Sequence, residues 1–204
     1  MTEEQIFFDS GELKIEGLLE NLQGEKGLIV THPHPLYGGE MRNNVVEAIT
    51  QAYREEGYST LRFNFRGVGK SEGSYEDGKG EQEDVRAALN FFSGLGKRNI
   101  DLAGYSFGAW VNALGMEKLD QAKRIVMVSP PVNFVNFDFL KYNPKIQMTI
   151  VGNRDDIAGY KILEKLMPEW NPEATLRIIE GADHFYWGYT DALKSIITEF
   201  LENN

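Results

Sequence analysis

The sequence predicts an α/β protein: one domain spanning residues 1–204, built on a mainly parallel, twisted sheet with helices on both faces. Three observations carry that expectation. Short β-branched or aliphatic runs alternate with longer segments whose apolar residues recur at helical spacing, which is the pattern of successive βαβ units. A length of 204 residues allows one substantial core but not a second full domain beside it. With 42% hydrophobic and 25% charged residues, and with Gly and Pro scattered, the composition is that of a globular protein rather than a disordered or fibrous one.

The elements follow in order. Gln5 to Phe8 and Leu13 to Leu19 are extended in character and flank the turn-like Asp9-Ser10-Gly11-Glu12, so they read as an N-terminal antiparallel hairpin. Strands are then expected at Leu28 to Thr31, Thr60 to Phe65, Ile100 to Gly104, Ile125 to Val128, Ile146 to Val151 and Leu176 to Ile179. Helical faces are formed by Val45, Val46, Ile49, Ala52 and Tyr53, by Val85, Ala88, Leu89 and Phe92, and by Leu193, Ile196, Ile197, Phe200 and Leu201. The second of these helices opens with Glu81, Glu83 and Asp84, which suit the positive end of its dipole. In Thr60 to Phe65, apolar Leu61, Phe63 and Phe65 alternate with Arg62, Asn64 and Arg66, which predicts a strand covered on one face only.

Several classes of function are disfavoured. A formal net charge of −10 works against the phosphate neutralisation that nucleic-acid binding requires, and no dense basic patch offsets it. The absence of cysteine removes thiol nucleophiles, disulfide frameworks and thiolate zinc sites. Residues 1–20 carry Glu3, Glu4, Asp9, Glu12, Glu16 and Glu20 and lack the basic start and apolar run of a signal peptide. No apolar stretch approaches the roughly 20 residues needed to span a bilayer. A cytoplasmic protein acting on a small molecule, with no nucleic-acid or membrane partner, is the expectation.

Gly104-Tyr105-Ser106-Phe107-Gly108 matches Gly-x-Ser-x-Gly, in which a serine sits on a sharp strand-to-helix turn and small flanking residues let strand and helix approach. The context fits, because Ile100 to Ala103 reads as a buried strand, and Ala109, Trp110, Ala113 and Leu114 continue as a helix face. A serine hydroxyl needs a base, and the base needs an acid to orient it. Of three histidines, His184 lies on a loop after the last predicted strand, at the same sheet edge as Ser106. Asp155 follows the strand Ile146 to Val151 at that edge, and its neighbour Asp156 is an alternative. An acyl-transfer oxyanion needs preorganised amide donors, usually the amide after the nucleophile and another from the loop after an early strand. Phe107 would give the first. In His32-Pro33-His34-Pro35-Leu36-Tyr37-Gly38-Gly39 the prolines have no N–H, so the second is His34, Leu36 or Tyr37, with His34 favoured. His32 and His34 lack a carboxylate or thiolate partner at a ligand spacing, so no metal is expected, and His32 is read as a residue that packs or bonds locally.

These residues resemble the small lidless hydrolases of the α/β-hydrolase superfamily that carry His-Pro-His-Pro-x-x-Gly-Gly near the start and are related to dienelactone-hydrolase-like and acylpeptidase-like enzymes. The likeness extends to Arg42-Asn43-Asn44, Phe63 to Ser71, Gly104 to Gly108, Gly152 to Asp155 and Ala182 to Phe185. It implies the α/β-hydrolase fold without a sizeable lid, a triad of Ser106, Asp155 and His184, an ester or other acyl substrate, and no cofactor. The stretch from Ser129 to Lys145, where larger relatives insert a lid, is brief, so a shallow open site is expected. Tyr37, Tyr186 and Trp187, with Phe134, Phe137 and Phe139, are expected to line it. The rival readings are a peptidase and a non-catalytic binding scaffold.

Overall fold

In the computed structural model, which describes residues 3–203, eight strands form one sheet in the order β1-β2-β4-β3-β5-β6-β7-β8. β1 (Glu4–Ser10) and β2 (Leu13–Glu20) make the antiparallel hairpin, and β2 pairs antiparallel with β4 (Ser59–Phe63). From β4 onward every pairing is parallel, through β3 (Lys26–Thr31), β5 (Asn99–Tyr105), β6 (Ala122–Val128), β7 (Ile146–Gly152) and β8 (Thr175–Ile179). All the carboxyl ends of these parallel strands therefore lie at one edge.

Two apolar layers sandwich the sheet. One joins it to α1 (Asn44–Glu55) and α5 (Thr190–Glu202) through Val45, Ile49, Tyr53, Leu193 and Ile197. The other joins it to α2 (Lys79–Gly94), α3 (Phe107–Gly115) and α4 (Tyr160–Trp170) through Val85, Phe92, Val111, Leu163 and Trp170. Because both faces are covered, the central strands are continuous apolar runs: Leu28, Ile29 and Val30 are all fully buried. Each such side chain contributes about 1.5–3 kcal/mol by leaving water. The helix α4 extends the sequence reading, which picked out no helical face between β7 and β8; Tyr160, Leu163, Met167 and Trp170 recur at its spacing, with Pro168 inside its last turn.

Strand β4 corrects one expectation. It is buried along its whole length, and the polar residues at its end are buried too. They are tolerated because charges on neighbouring elements meet them: Arg62 pairs with Glu3 and Glu47 and donates to the Met41 carbonyl, and Arg66 pairs with Asp84 and Glu76. Asp84 and Glu81 at the start of α2 are likewise buried, with Asp84 also accepting from the Ser10 hydroxyl and Glu81 from the Glu76 amide. Residues 129–145, between β6 and β7, contain no helix or strand, so no lid covers the carboxyl edge there. Among the described residues no helix is long and apolar enough to cross a membrane.

Candidate active site

Three loops meet where β5, β7 and β8 end. Ser106 links β5 directly to α3 with φ 54° and ψ −117°, a left-handed conformation that costs a non-glycine residue on the order of 1–3 kcal/mol. The turn is possible because its flanks are glycines: a Cβ on Gly104 would lie 2.6 Å from the Ala109 nitrogen, and one on Gly108 would lie 2.6 Å from the Thr31 carbonyl oxygen. The result aims the Ser106 hydroxyl out of the sheet edge while Trp110 begins the helical bonding by donating its amide to the Ser106 carbonyl.

The Asp155 and His184 loops are laced to each other. The Arg154 amide donates to the Ala182 carbonyl, the Asn153 amide to the Ile179 carbonyl, and the Gly181 amide to the Asn153 side chain. The loops lie so close that a Cβ on Gly152 would approach the Ala182 oxygen to 2.1 Å. Beneath them, the Tyr105 hydroxyl donates to the His184 carbonyl at 2.6 Å, and its ring lies 5.4 Å from the imidazole.

The outcome is a continuous hydrogen-bonded relay. Ser106 Oγ lies 3.0 Å from His184 Nε2, and His184 Nδ1 lies 2.9 Å from Asp155 Oδ2 and 3.0 Å from Oδ1. Burial alone would raise the Asp155 pKa. The hydrogen bond and charge of His184 outweigh it, with help from the Ala158 amide, and hold the carboxyl below its usual range. An ionised carboxylate only accepts, so Nδ1 carries the ring proton of the neutral imidazole and Nε2 presents its lone pair to the serine hydroxyl. Asp156 is exposed, and its carbonyl accepts from Asn133, so the two adjacent aspartates separate cleanly: Asp155 faces the imidazole and Asp156 faces water.

The loop after β3 borders the same site, since Thr31 is the parallel partner of Gly104. Within it the Tyr37 amide donates to the His34 carbonyl and the Leu36 amide to His34 Nδ1. Two of the three amides considered for the oxyanion are therefore engaged inside the loop. The His34 ring rests 4.8 Å from the Phe107 ring and bonds the Tyr75 hydroxyl, which in turn donates to Asp77.

The rim departs from expectation in three places. Tyr186 is fully buried and its hydroxyl is 2.7 Å from Ser129 Oγ, so it packs under the His184 loop and does not line an open site. Phe137 is buried against Trp170 for the same reason, an apolar ring having a covered place to go. Tyr37, at 88% exposure, and Trp187, at 72%, do stand in solvent, as do Phe134, Leu36 and Phe185, whereas Phe139, though partly exposed, lies beside Met116 and Tyr142 at the far end of α3, away from the serine. The sequence reading missed Tyr105, whose signal was its place inside the Gly-x-Ser-x-Gly motif, and Ser129, which takes φ 46° directly after β6 and has no local signature.

This fold and this edge define the α/β-hydrolase class in its lidless form. The comparisons agree. The chain is 32% identical over 209 residues to an uncharacterized protein of Rickettsia prowazekii, covering 97% of this chain and 88% of that one. It superposes on an α/β serine hydrolase homologue from Coxiella burnetii with a TM-score of 0.91 at 31% identity, covering 98% of each chain. An α/β serine hydrolase without lid from Xanthomonas campestris matches with a TM-score of 0.90 at 26% identity over 100% of this chain and 95% of that one. No family model matches. The chain belongs to the α/β serine hydrolase family.

Proposed function

We propose that the protein hydrolyses an ester, thioester or similarly activated acyl group through an acyl-Ser106 intermediate. The observation that carries this reading is the unbroken Ser106–His184–Asp155 relay at one rim, with each contact at 2.9–3.0 Å. His184 Nε2 takes the proton as Ser106 Oγ adds to the acyl carbon, and Asp155 stabilises the imidazolium that forms. The amides of Phe107 and His34 receive the oxyanion, a choice supported by the engagement of the Leu36 and Tyr37 amides elsewhere. Collapse expels the leaving group with the proton from His184. Water then gives its proton to Nε2 as it adds to the acyl carbon, and the second intermediate collapses to the acid while His184 returns that proton to the departing Ser106 Oγ.

The His32–Gly39 sequence supports reading the protein as one of the His-Pro-His-Pro group with its dienelactone-hydrolase-like relatives. No cofactor takes part. With no lid, and with Tyr37 and Trp187 exposed on the loops that carry His34 and His184, the site accepts a compact activated acyl group more readily than a peptide, whose poor leaving group demands more positioning. A series of p-nitrophenyl esters of increasing acyl length tests this. Wild type should turn over the short members, and Ser106→Ala should lose roughly 10³-fold or more in kcat. Equal rates in both proteins would remove the assignment.

A further inference from the structure

His32 is fully buried, and the mechanism above makes no use of it. Both of its ring nitrogens are nevertheless committed. The Phe65 amide donates to Nε2 at 3.0 Å, so the ring proton of the neutral form sits on Nδ1, which donates to the Pro33 carbonyl at 2.6 Å. The Phe65 ring packs against the imidazole with centroids 4.7 Å apart. The far side of the Pro33 carbonyl is closed as well, because a Cβ on Gly39 would stand 2.1 Å from its oxygen.

The Pro33 carbonyl belongs to the same planar peptide unit as the His34 N–H. There are no cis peptides among the described residues, so that N–H points opposite to the carbonyl. Whatever fixes the carbonyl therefore fixes the direction of the N–H. We infer that His32 is the positioning residue of the oxyanion hole: its Nδ1–H clamps the Pro33 carbonyl and so holds the His34 amide aimed at the site where the oxyanion develops. This rests on the acyl-transfer reading given above. The clamp requires neutral imidazole, because a protonated Nε2 could not accept from Phe65. Burial supplies that condition by pushing the His32 pKa down to about 4 against the opposing bond to Pro33.

A residue that orients a transition-state donor should affect kcat rather than KM. His32→Phe removes both bonds while filling the cavity. Among molecules shown to be folded by circular dichroism, it should lower kcat on a short p-nitrophenyl ester by roughly 10²-fold, near the loss expected for one oxyanion donor, with KM changed by less than about twofold. It should weaken a trifluoromethyl ketone, which forms a hemiketal oxyanion on Ser106, by a similar factor. His32→Gln offers an N–H to Pro33 and an oxygen to Phe65, and should retain more kcat than His32→Phe. A folded His32→Phe protein with wild-type kcat, or one altered only in KM, would overturn the proposal. If that variant does not fold, nitrogen NMR of the wild type decides: a ring proton on Nδ1 of His32 supports the clamp, and one on Nε2 overturns it. Loss of hydrolysis in Ser106→Ala alongside a fully active His32→Phe would sink the clamp alone. Retained hydrolysis in Ser106→Ala would sink the acyl-serine reading itself.

Discussion

His32 and His34 stand two residues apart and live in different electrostatic worlds. His32 is enclosed and has its pKa pushed down to about 4, first by burial, while His34 is only partly covered and is lowered less, Asp77 working against its burial. The consequence for stability has a definite sign. The unfolded chain protonates His32 near 6.5, whereas the folded one resists until about 4, so between those values the unfolded state binds more protons. Stability is therefore lost as pH falls from about 6.5 to about 4, by about 3 kcal/mol from this residue. Urea unfolding of wild type and His32→Gln at pH 7, 5.5 and 4.5 checks this, with the wild type expected to lose about 2 kcal/mol more than the variant across the range. Parallel losses in the two proteins would contradict it.

Elements position the relay through backbone closeness more than through side-chain packing. The carboxyl ends of β7 and β8 approach so tightly that Gly152 admits no Cβ, and the loops that follow exchange three hydrogen bonds through Arg154, Asn153 and Gly181. Gly152→Ala must push the Ala182 peptide away, and with it the His184 loop. We expect a destabilisation of about 1–3 kcal/mol together with a fall in kcat on the ester series, read by urea titration and steady-state kinetics. An active, fully stable Gly152→Ala protein would show that the two loops are not mechanically coupled.

The elements were also where the sequence was most and least readable. The parallel strands were legible because a strand covered on both faces must be apolar throughout, as Leu28 to Val30 and Val126 to Val128 are. The end of β4 misled because Arg62, Asn64 and Arg66 imitate a solvated face. Only the fold brings Glu3, Glu47, Glu16 and Asp84 against them, across separations in sequence that no local pattern encodes. The relay residues were legible from chain order and loop placement, Ser106 then Asp155 then His184, each just past a strand. Tyr186 was not, since a loop tyrosine looks the same in sequence whether its ring turns outward or, at φ 56°, inward onto Ser129.

At the scale of the molecule, a sheet with all its parallel strands ending at one edge gathers remote residues without needing a second domain, and the 129–145 connection leaves that edge uncovered. Leu36 and Tyr37 on the loop after β3, and Phe185 and Trp187 on the loop after β8, stand in water. An open edge of this kind should be reachable by a small reagent with no opening step. The most direct measurement is covalent labelling by a fluorophosphonate followed by mass spectrometry of the digested protein. The modification is expected on Ser106 in the wild type and nowhere in Ser106→Ala, with the rate in Asp155→Asn falling by roughly 10⁴-fold as the imidazole loses its correct tautomer. Labelling at another residue, or equal labelling of the wild type and the Ser106 variant, would contradict an acyl-transfer site at this edge.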